Sequence, residues 1–173
     1  MSKPQKSIAI LMADDDPDDR QLTQHAFERS RWGGDLRFVE DGEELMDYLK
    51  RRGSPRGINF SWTPAATIAI PRGKYHNPAT SPRPSLILLD LNMPRKQGHE
   101  ALHEIKADAR LRQIPVIVLT TSRAQADIFR TYDLGANSFI SKPTTFDGML
   151  DMVKSLAAYW FKLVELLPER SGL

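Results

Sequence analysis

Short runs of apolar residues alternate along the chain with longer segments in which apolar residues recur every three or four positions. The clearest run is Leu86–Leu89, which is followed by Asp90 and, four positions later, by Pro94. A short apolar run bounded by turn signals is typical of a strand buried on both faces of a parallel sheet. Pro94 lacks the N–H that strand pairing requires, so the strand must end before it. Asp90 is therefore predicted at the carboxyl end of a central strand, where ligands bind in open α/β sheets.

Four further segments have the pattern of strands, and each is followed by a segment with helical periodicity. These strands are predicted at Ile8–Met12, Leu36–Val39, Ile114–Leu119 and Ser138–Ser141. Asp16 before Pro17 marks the start of the first helix, and Asp41 with Glu44 forms a capping-box pair ahead of the second. Five strands that alternate with five helices predict an α/β fold with a parallel, doubly wound sheet and right-handed crossovers.

The last predicted helix, from Thr145 to Leu167, is longer than a sheet of this size can cover. At 1.5 Å per residue it would span about 34 Å, whereas a strand of five or six residues spans only about 17–20 Å. We therefore expect Trp160 and Phe161 to lie uncovered and to form an interface with a second copy or a partner protein. The competing explanation is that this end of the helix folds back onto the domain's own insertion.

The segment from residue 51 to residue 85 differs in character from the rest of the chain. It contains six of the chain's 24 basic residues, none of its 22 acidic residues and half of its 12 prolines. A loop this long inside a compact domain is usually functional or disordered. We interpret it as an insertion that modulates partner choice. Within it, Thr67–Ile70 and Lys74–His76 could pair as a small hairpin.

Composition limits the remaining possibilities. The 173 residues fit one domain, 1–173, and 40% hydrophobic and 27% charged residues are ordinary for a soluble globular protein. No apolar run approaches the roughly 20 residues that a membrane span needs, and the first six residues lack the layout of a signal peptide. The absence of cysteine excludes disulfides and thiolate metal sites, so we expect a cytoplasmic protein without a membrane partner.

Polar residues that could bind a ligand or take part in a reaction follow four of the five predicted strands. Asp14 and Asp15 come after the first strand, Asp90-Leu91-Asn92-Met93-Pro94 after the third, Thr120 after the fourth and Lys142-Pro143 after the fifth. Aspartate is also favoured at helix caps. From the local sequence alone, helix capping therefore explains these aspartates about as well as a functional site does. With Thr120 lying 30 positions after Asp90 and Lys142 lying 22 after Thr120, the four motifs together resemble the response-regulator receiver domain of two-component signalling.

This resemblance implies a flavodoxin-like (βα)5 fold with strand order 2-1-3-4-5. It implies that Asp90 is the nucleophile that accepts a phosphoryl group, a reaction that needs a divalent cation. Mg²⁺ would be held by the carboxylates of Asp14, Asp15 and Asp90 and by the main-chain carbonyl of Asn92, because Mg²⁺ prefers oxygen ligands. Lys142 would supply positive charge to a phosphoryl oxygen, and Thr120 a hydroxyl group.

The resemblance also implies a switch. Thr120 would move towards the phosphoryl group, and the aromatic side chain of Phe139 on the fifth strand would occupy the space that Thr120 leaves. The surface that changes would be formed by the fourth helix, fifth strand and fifth helix. Phe139 as an ordinary core residue is an equally good interpretation of the sequence.

A narrower resemblance concerns the partner. Tyr132-Asp133-Leu134, Pro82-Arg83-Pro84 and the aromatic end of the last helix are similar to the single-domain regulators associated with bacterial phytochromes. The partner implied is a sensor histidine kinase, such as a bacterial phytochrome, or a phosphotransfer protein. A homodimer through the C-terminal helix is also expected, and a nucleic-acid partner is not.

Two other functions compete with this prediction of a phosphoryl-accepting signalling domain that is not a turnover enzyme. One is an adaptor whose basic insertion binds an acidic protein or nucleic acid. The other is a phosphatase that uses Asp90 as its own nucleophile, but its usual pattern would have a second aspartate where Asn92 stands. Asp14, Asp15 and Asp90 should converge at one sheet edge, where like charges should raise the pKa values of the carboxyl groups.

Overall fold

A computed structural model describes residues 8–50, 58–63, 66–71 and 81–166 of the chain, with 58–63 and 66–71 described by their backbone alone. Seven strands are present in this part of the chain. They are β1 (Ala9–Ala13), β2 (Asp35–Val39), β3 (Ile58–Thr63), β4 (Ala66–Pro71), β5 (Leu86–Leu89), β6 (Val116–Thr120) and β7 (Ser138–Ser141). Five of these strands form a parallel sheet in the order β2-β1-β5-β6-β7. When the separate β3–β4 pair is set aside, this is the predicted order 2-1-3-4-5, which is therefore confirmed.

Five α-helices connect the strands of the parallel sheet. They are α1 (Pro17–Arg29), α2 (Gly42–Leu49), α3 (Gly98–Ala107), α4 (Gln125–Asp133) and α5 (Phe146–Ala158). The predicted caps are in place: the Asp16 side chain accepts hydrogen bonds from the main chain of α1, and the Asp41 side chain accepts one from the main chain of α2. None of the helices within the described ranges is both long and apolar enough to cross a membrane.

The three central strands are buried along their whole length, as their continuous apolar sequences predict. Alternate residues of each strand contribute to a core on either side of the sheet, because successive side chains point to opposite faces. On β1, Leu11 packs into the core shared with α2 and α3, whereas Ile10 and Met12 pack into the core shared with α1 and α5. Helices therefore cover both faces of the sheet.

The C-terminal helix is shorter than predicted. α5 ends at Ala158, and a single π-helical turn follows at Tyr159–Leu163. Trp160 is buried, and the ring of Phe161 stacks on the ring of Trp32 in the α1–β2 loop, with their centroids 5.2 Å apart. The expectation of an uncovered side chain is therefore wrong for Trp160, whereas Phe161 is half-buried, because the loop after α1 packs against this turn.

The exposed apolar side chains of that turn are instead those of Tyr159 and Leu163. A homodimer through the C-terminal segment stays a prediction. Its contacts on the described surface would come from these two residues more readily than from the buried indole of Trp160.

The insertion contains a hairpin in which β3 and β4 pair antiparallel, with Ile58 opposite Pro71 and Thr63 opposite Ala66. The predicted strand at Thr67–Ile70 is thus part of a hairpin, but its partner precedes it in the sequence. The partner that was predicted, Lys74–His76, lies outside the described residues.

Candidate functional site

The carboxyl ends of β1 and β5 bring three aspartates together. The register of β1 and β5 places Ala13 opposite Leu89, and the main-chain N–H of Asp90 donates to the carbonyl of Ala13 at 3.0 Å. The residues that follow these paired positions therefore share one edge of the sheet. Asp14, Asp15 and Asp90 each have a carboxylate oxygen within 4.8 Å of the oxygens of the other two. Asp14 and Asp90 are buried, while Asp15 is exposed.

The ammonium group of Lys142 lies inside this cluster. Its Nζ is 2.7 Å from Asp14 Oδ2 and donates hydrogen bonds to Asp19 Oδ2 at 2.7 Å and Asp90 Oδ2 at 2.8 Å. Burial lowers the pKa of Lys142, but the negative charge of Asp14 and the contacts with Asp14, Asp19 and Asp90 outweigh burial and raise it. Lys142 is therefore a fixed positive charge at the end of β7.

The carboxyl group of Asp14 has a strongly shifted pKa. Burial raises its pKa from 3.8 to about 6, against the opposing effect of the Lys142 charge. The charge of Asp90 raises the pKa of Asp14 further, but by less than burial does. The sequence predicted a raised pKa in this cluster and attributed it to repulsion between carboxylates. In Asp14 the direction is as predicted, and the main cause is desolvation.

The cluster fits a divalent cation. Asp14 Oδ2 is buried, and no donor in the described part of the chain reaches it at a hydrogen-bonding angle, although the Lys142 ammonium lies 2.7 Å away. A buried carboxylate oxygen without a hydrogen bond is unfavourable unless it is otherwise compensated. Three carboxylates that converge within a few ångströms are also the hard oxygen donors that Mg²⁺ and Mn²⁺ prefer.

Thr120 and Asn92 both lie beside this site. Thr120 is the last residue of β6 and is fully buried, and its carbonyl accepts a hydrogen bond from the main-chain N–H of Lys142 at 2.8 Å. The main-chain N–H of Asn92 donates to Asp90 Oδ1 at 3.3 Å. The structure thus brings both predicted residues next to Asp90 or Lys142, while their chemical roles stay predictions.

Phe139 lies one strand away, in the middle of β7. Its side chain is half-buried and packs against the core on the α2 and α3 side, and its main-chain N–H donates to the hydroxyl of Tyr132 on α4 at 3.3 Å. This position suits both interpretations of Phe139, because a half-buried ring contributes to the core and still borders the surface at α4.

Sequence reasoning missed Asp19. The sequence analysis gave Asp19 no part in this site, whereas its carboxylate accepts a hydrogen bond from Lys142. The available signal was its position in the first turn of a helix that begins at the same sheet edge as Asp14. That signal is weak, because the partner, Lys142, is 123 residues away in the sequence.

Helix α4 is packed more lightly than its neighbours. Thr131 is its one fully buried residue, compared with five buried residues on α3. Phe129 and Tyr132 of α4 are 70% and 51% exposed. Because large apolar side chains that face solvent often mark interaction surfaces, α4 is a candidate contact surface.

Known proteins resemble this chain in both sequence and structure. A family model described as "Response regulator receiver domain" matches residues 74–154. The response regulator Rcp1 of Synechocystis sp. is 34% identical over 165 residues, which are 95% of this chain and 95% of that protein. The crystal structure of the phosphorylated cyanobacterial phytochrome response regulator RcpA matches with a TM-score of 0.75 at 34% identity, covering 94% of this chain and 99% of that one. The Mn²⁺-bound form of Rcp1 matches with a TM-score of 0.73 at 32% identity, covering 93% and 99%.

Proposed function

The chain belongs to the response regulator receiver family, and from this premise we propose that it accepts a phosphoryl group on Asp90 from a histidine kinase or a phosphotransfer protein. The observation that carries the proposal is the surroundings of Asp90. Its carboxylate is buried, lies within 4.8 Å of the Asp14 and Asp15 carboxylates, and accepts a hydrogen bond from Lys142. These surroundings hold a nucleophile in place beside positive charge.

In the proposed step, a carboxylate oxygen of Asp90 forms a bond to phosphorus while the bond between phosphorus and the donor's imidazole nitrogen breaks. The imidazole nitrogen keeps the electron pair of that bond, and the product is an aspartyl phosphate. Lys142 would turn one of its N–H donors to a phosphoryl oxygen, and the hydroxyl of Thr120 would donate to another. Because phosphoryl transfer is catalysed mainly by positioning and charge stabilisation, the burial of Lys142 and Thr120 supports these roles.

We propose Mg²⁺ as the cation of the site, held by Asp14, Asp15, Asp90 and the main-chain carbonyl of Asn92. When bound, it would neutralise charge that develops on the phosphoryl oxygens. The structure of a relative, Rcp1, with Mn²⁺ supports a divalent cation here. Oxygen ligands and the usual role of Mg²⁺ in phosphoryl transfer favour Mg²⁺.

The proposed readout of phosphorylation runs from Thr120 to α4. Thr120 ends β6, Phe139 is on the neighbouring strand β7, and the hydroxyl of Tyr132 connects that strand to α4. With a single fully buried residue, α4 has few packing contacts to lose when it shifts. A change at Thr120 and Phe139 could therefore alter the exposed surface formed by α4, β7 and α5.

A bacterial phytochrome is the kind of kinase that we propose as partner. The support is that RcpA is a cyanobacterial phytochrome response regulator and that it covers almost the whole of this chain. We also propose that the chain is one receiver domain, in which the insertion at about 51–85 modulates partner choice without building the phosphoryl site. All the described members of that site lie outside the insertion, which agrees with this role.

The direct test is phosphorylation with a small phosphodonor. Wild-type protein with acetyl phosphate and Mg²⁺ should gain one phosphoryl group that maps to Asp90 and is released by hydroxylamine, as expected for an acyl phosphate. Asp90→Asn should abolish this, whereas Asp18→Asn, an exposed aspartate of α1, should not. Equal labelling of Asp90→Asn and wild type would refute the proposal, and rapid continuous release of phosphate would favour a phosphatase.

A further inference from the structure

Asp19 differs from the other aspartates that contact Lys142. Asp14 and Asp90 also belong to the group of carboxylates that can hold a cation, whereas Asp19 does not. Asp19 Oδ2 nevertheless accepts a hydrogen bond from Lys142 Nζ at 2.7 Å, and its side chain is 28% exposed. The ammonium of Lys142 thus contacts two carboxylates that belong to the cation site and one that is independent of it.

A bound cation and the Lys142 ammonium would compete for the same carboxylate oxygens of Asp14 and Asp90. Asp14 and Asp90 oxygens that are engaged by a divalent cation are poorer acceptors for an ammonium, and the cation's charge also repels the ammonium. Lys142 has a flexible four-carbon stem that does not fix its ammonium by itself. Without an independent acceptor, the ammonium would be free to leave the site at the moment when the phosphoryl group needs it.

The first turn of α1 holds Asp19 where it can serve as this acceptor. The Asp16 side chain caps the helix by accepting from the main-chain N–H of Asp18 at 2.8 Å and of Asp19 at 3.4 Å. The guanidinium of Arg20 donates to the main-chain carbonyl of Asp14 at 2.6 Å, which ties this turn to the end of β1. The main chain at Asp19 is therefore held by two local contacts that involve neither Lys142 nor a cation.

We propose that Asp19 is a positioning residue, which keeps the Lys142 ammonium at the phosphoryl site when Asp14 and Asp90 serve as cation ligands. This inference rests on the proposed function, because it assigns Asp19 to the same phosphoryl transfer. Asp19 acts through Lys142 and touches neither the cation nor the phosphoryl group. The opposite possibility is that Asp19 draws Lys142 away from the site, and it predicts an effect of opposite sign on the rate.

The test compares Asp19→Ala and Asp19→Asn with the matched control Asp18→Ala. Asp18 lies in the same turn of α1, carries the same charge and is exposed, so its replacement reproduces the effect on helix charge without touching Lys142. In saturating Mg²⁺, the rate of Asp90 phosphorylation by acetyl phosphate should fall about tenfold in Asp19→Ala, since a displaced catalytic charge commonly costs that much or more. Asp19→Asn, which keeps an acceptor without the charge, should fall between Asp19→Ala and wild type.

A second readout reports the position of Lys142 without phosphorylation. Reductive methylation of Lys142, measured by peptide mass spectrometry, should increase several-fold in Asp19→Ala when Mg²⁺ is added. In wild type and in Asp18→Ala the reactivity of Lys142 should change little. If Asp19→Ala does not fold, as urea denaturation would show, Asp19→Asn decides the matter by the same two measurements.

The outcomes separate the inference from the proposed function. A wild-type protein that is not labelled on Asp90 would refute the proposed function. A wild type that is labelled, with Asp19→Ala as fast as Asp18→Ala and Lys142 equally protected, would refute the role of Asp19 alone. A faster rate in Asp19→Ala would also overturn it and would favour the view that Asp19 draws Lys142 away.

Discussion

Replacing Asp14 with asparagine should stabilise the protein in the absence of metal, and the gain should depend on pH. Asp14 is fully buried, and burial raises the pKa of its carboxyl group from 3.8 to about 6. Between these two values the folded protein holds a proton that the unfolded chain has released. The free energy of unfolding therefore falls as the pH rises through this window, and it stays low above about pH 6.

The size of the effect follows from the same two pKa values. At about 1.4 kcal/mol per pH unit, a rise from 3.8 to about 6 corresponds to a penalty of about 3 kcal/mol at pH 7. Asparagine is similar in shape and carries no charge, but it also loses the ion pair with Lys142. We therefore expect Asp14→Asn to raise the free energy of unfolding by about 1–3 kcal/mol at pH 7, and by roughly half as much at pH 5.

Urea denaturation of metal-stripped wild type and Asp14→Asn at pH 7 and pH 5 measures this directly. His99 titrates in the opposite sense, since burial lowers its pKa and its contribution to stability is lost as the pH falls. That contribution is common to both proteins, so it cancels in their difference. In millimolar Mg²⁺ the gain should shrink or reverse, because the variant lacks a ligand. If metal-stripped wild type and Asp14→Asn have the same free energy of unfolding at pH 7, or differ by the same amount at pH 7 and pH 5, the reasoning is refuted.

Two further predictions concern packing at opposite ends of the molecule. A Cβ added at Gly98 would lie 2.1 Å from the main-chain oxygen of Asp90. Gly98→Ala should therefore lower the free energy of unfolding by about 2–4 kcal/mol, measured by urea denaturation, and should slow phosphorylation. Gly33→Ala is the control and should do neither, because a Cβ at Gly33 would have no atom within 4 Å. Trp32→Ala removes the ring that stacks on Phe161 and should cost about 2–3 kcal/mol while leaving phosphorylation by acetyl phosphate unchanged. A Trp32→Ala protein as stable as wild type would show that the stack does not hold the C-terminal turn.

The sheet and most of the candidate site could be predicted because both depend on local sequence patterns. Buried parallel strands have continuous apolar sequences such as Leu86–Leu89, and the residue that follows each strand must lie at one edge of the sheet. That rule predicts that Asp14, Asp90 and Lys142 lie at one edge of the sheet. The strand order came from the family resemblance, since periodicity alone does not fix the order of parallel strands.

The features that sequence reasoning missed depend on contacts between distant segments. The stack of Trp32 on Phe161 covers the end of α5, and it joins two segments that are far apart in the chain. The hydrogen bond from Lys142 to Asp19 depends on how far a long side chain reaches in the folded protein. The pairing of β3 with β4 was misassigned because short apolar runs do not identify their partners.

Helix α4 has a consequence for how this protein can diverge from its relatives. Since Thr131 is its one fully buried residue, the core places few demands on the rest of α4. Surface substitutions away from special features usually change stability by less than about 0.5 kcal/mol, so mutations can accumulate at exposed positions such as Phe129 without loss of the fold. Specificity is a difference between affinities for right and wrong partners. Duplicated copies of this gene could therefore separate their partners by drift and selection on α4, while the proposed phosphoryl site at the sheet edge stays intact.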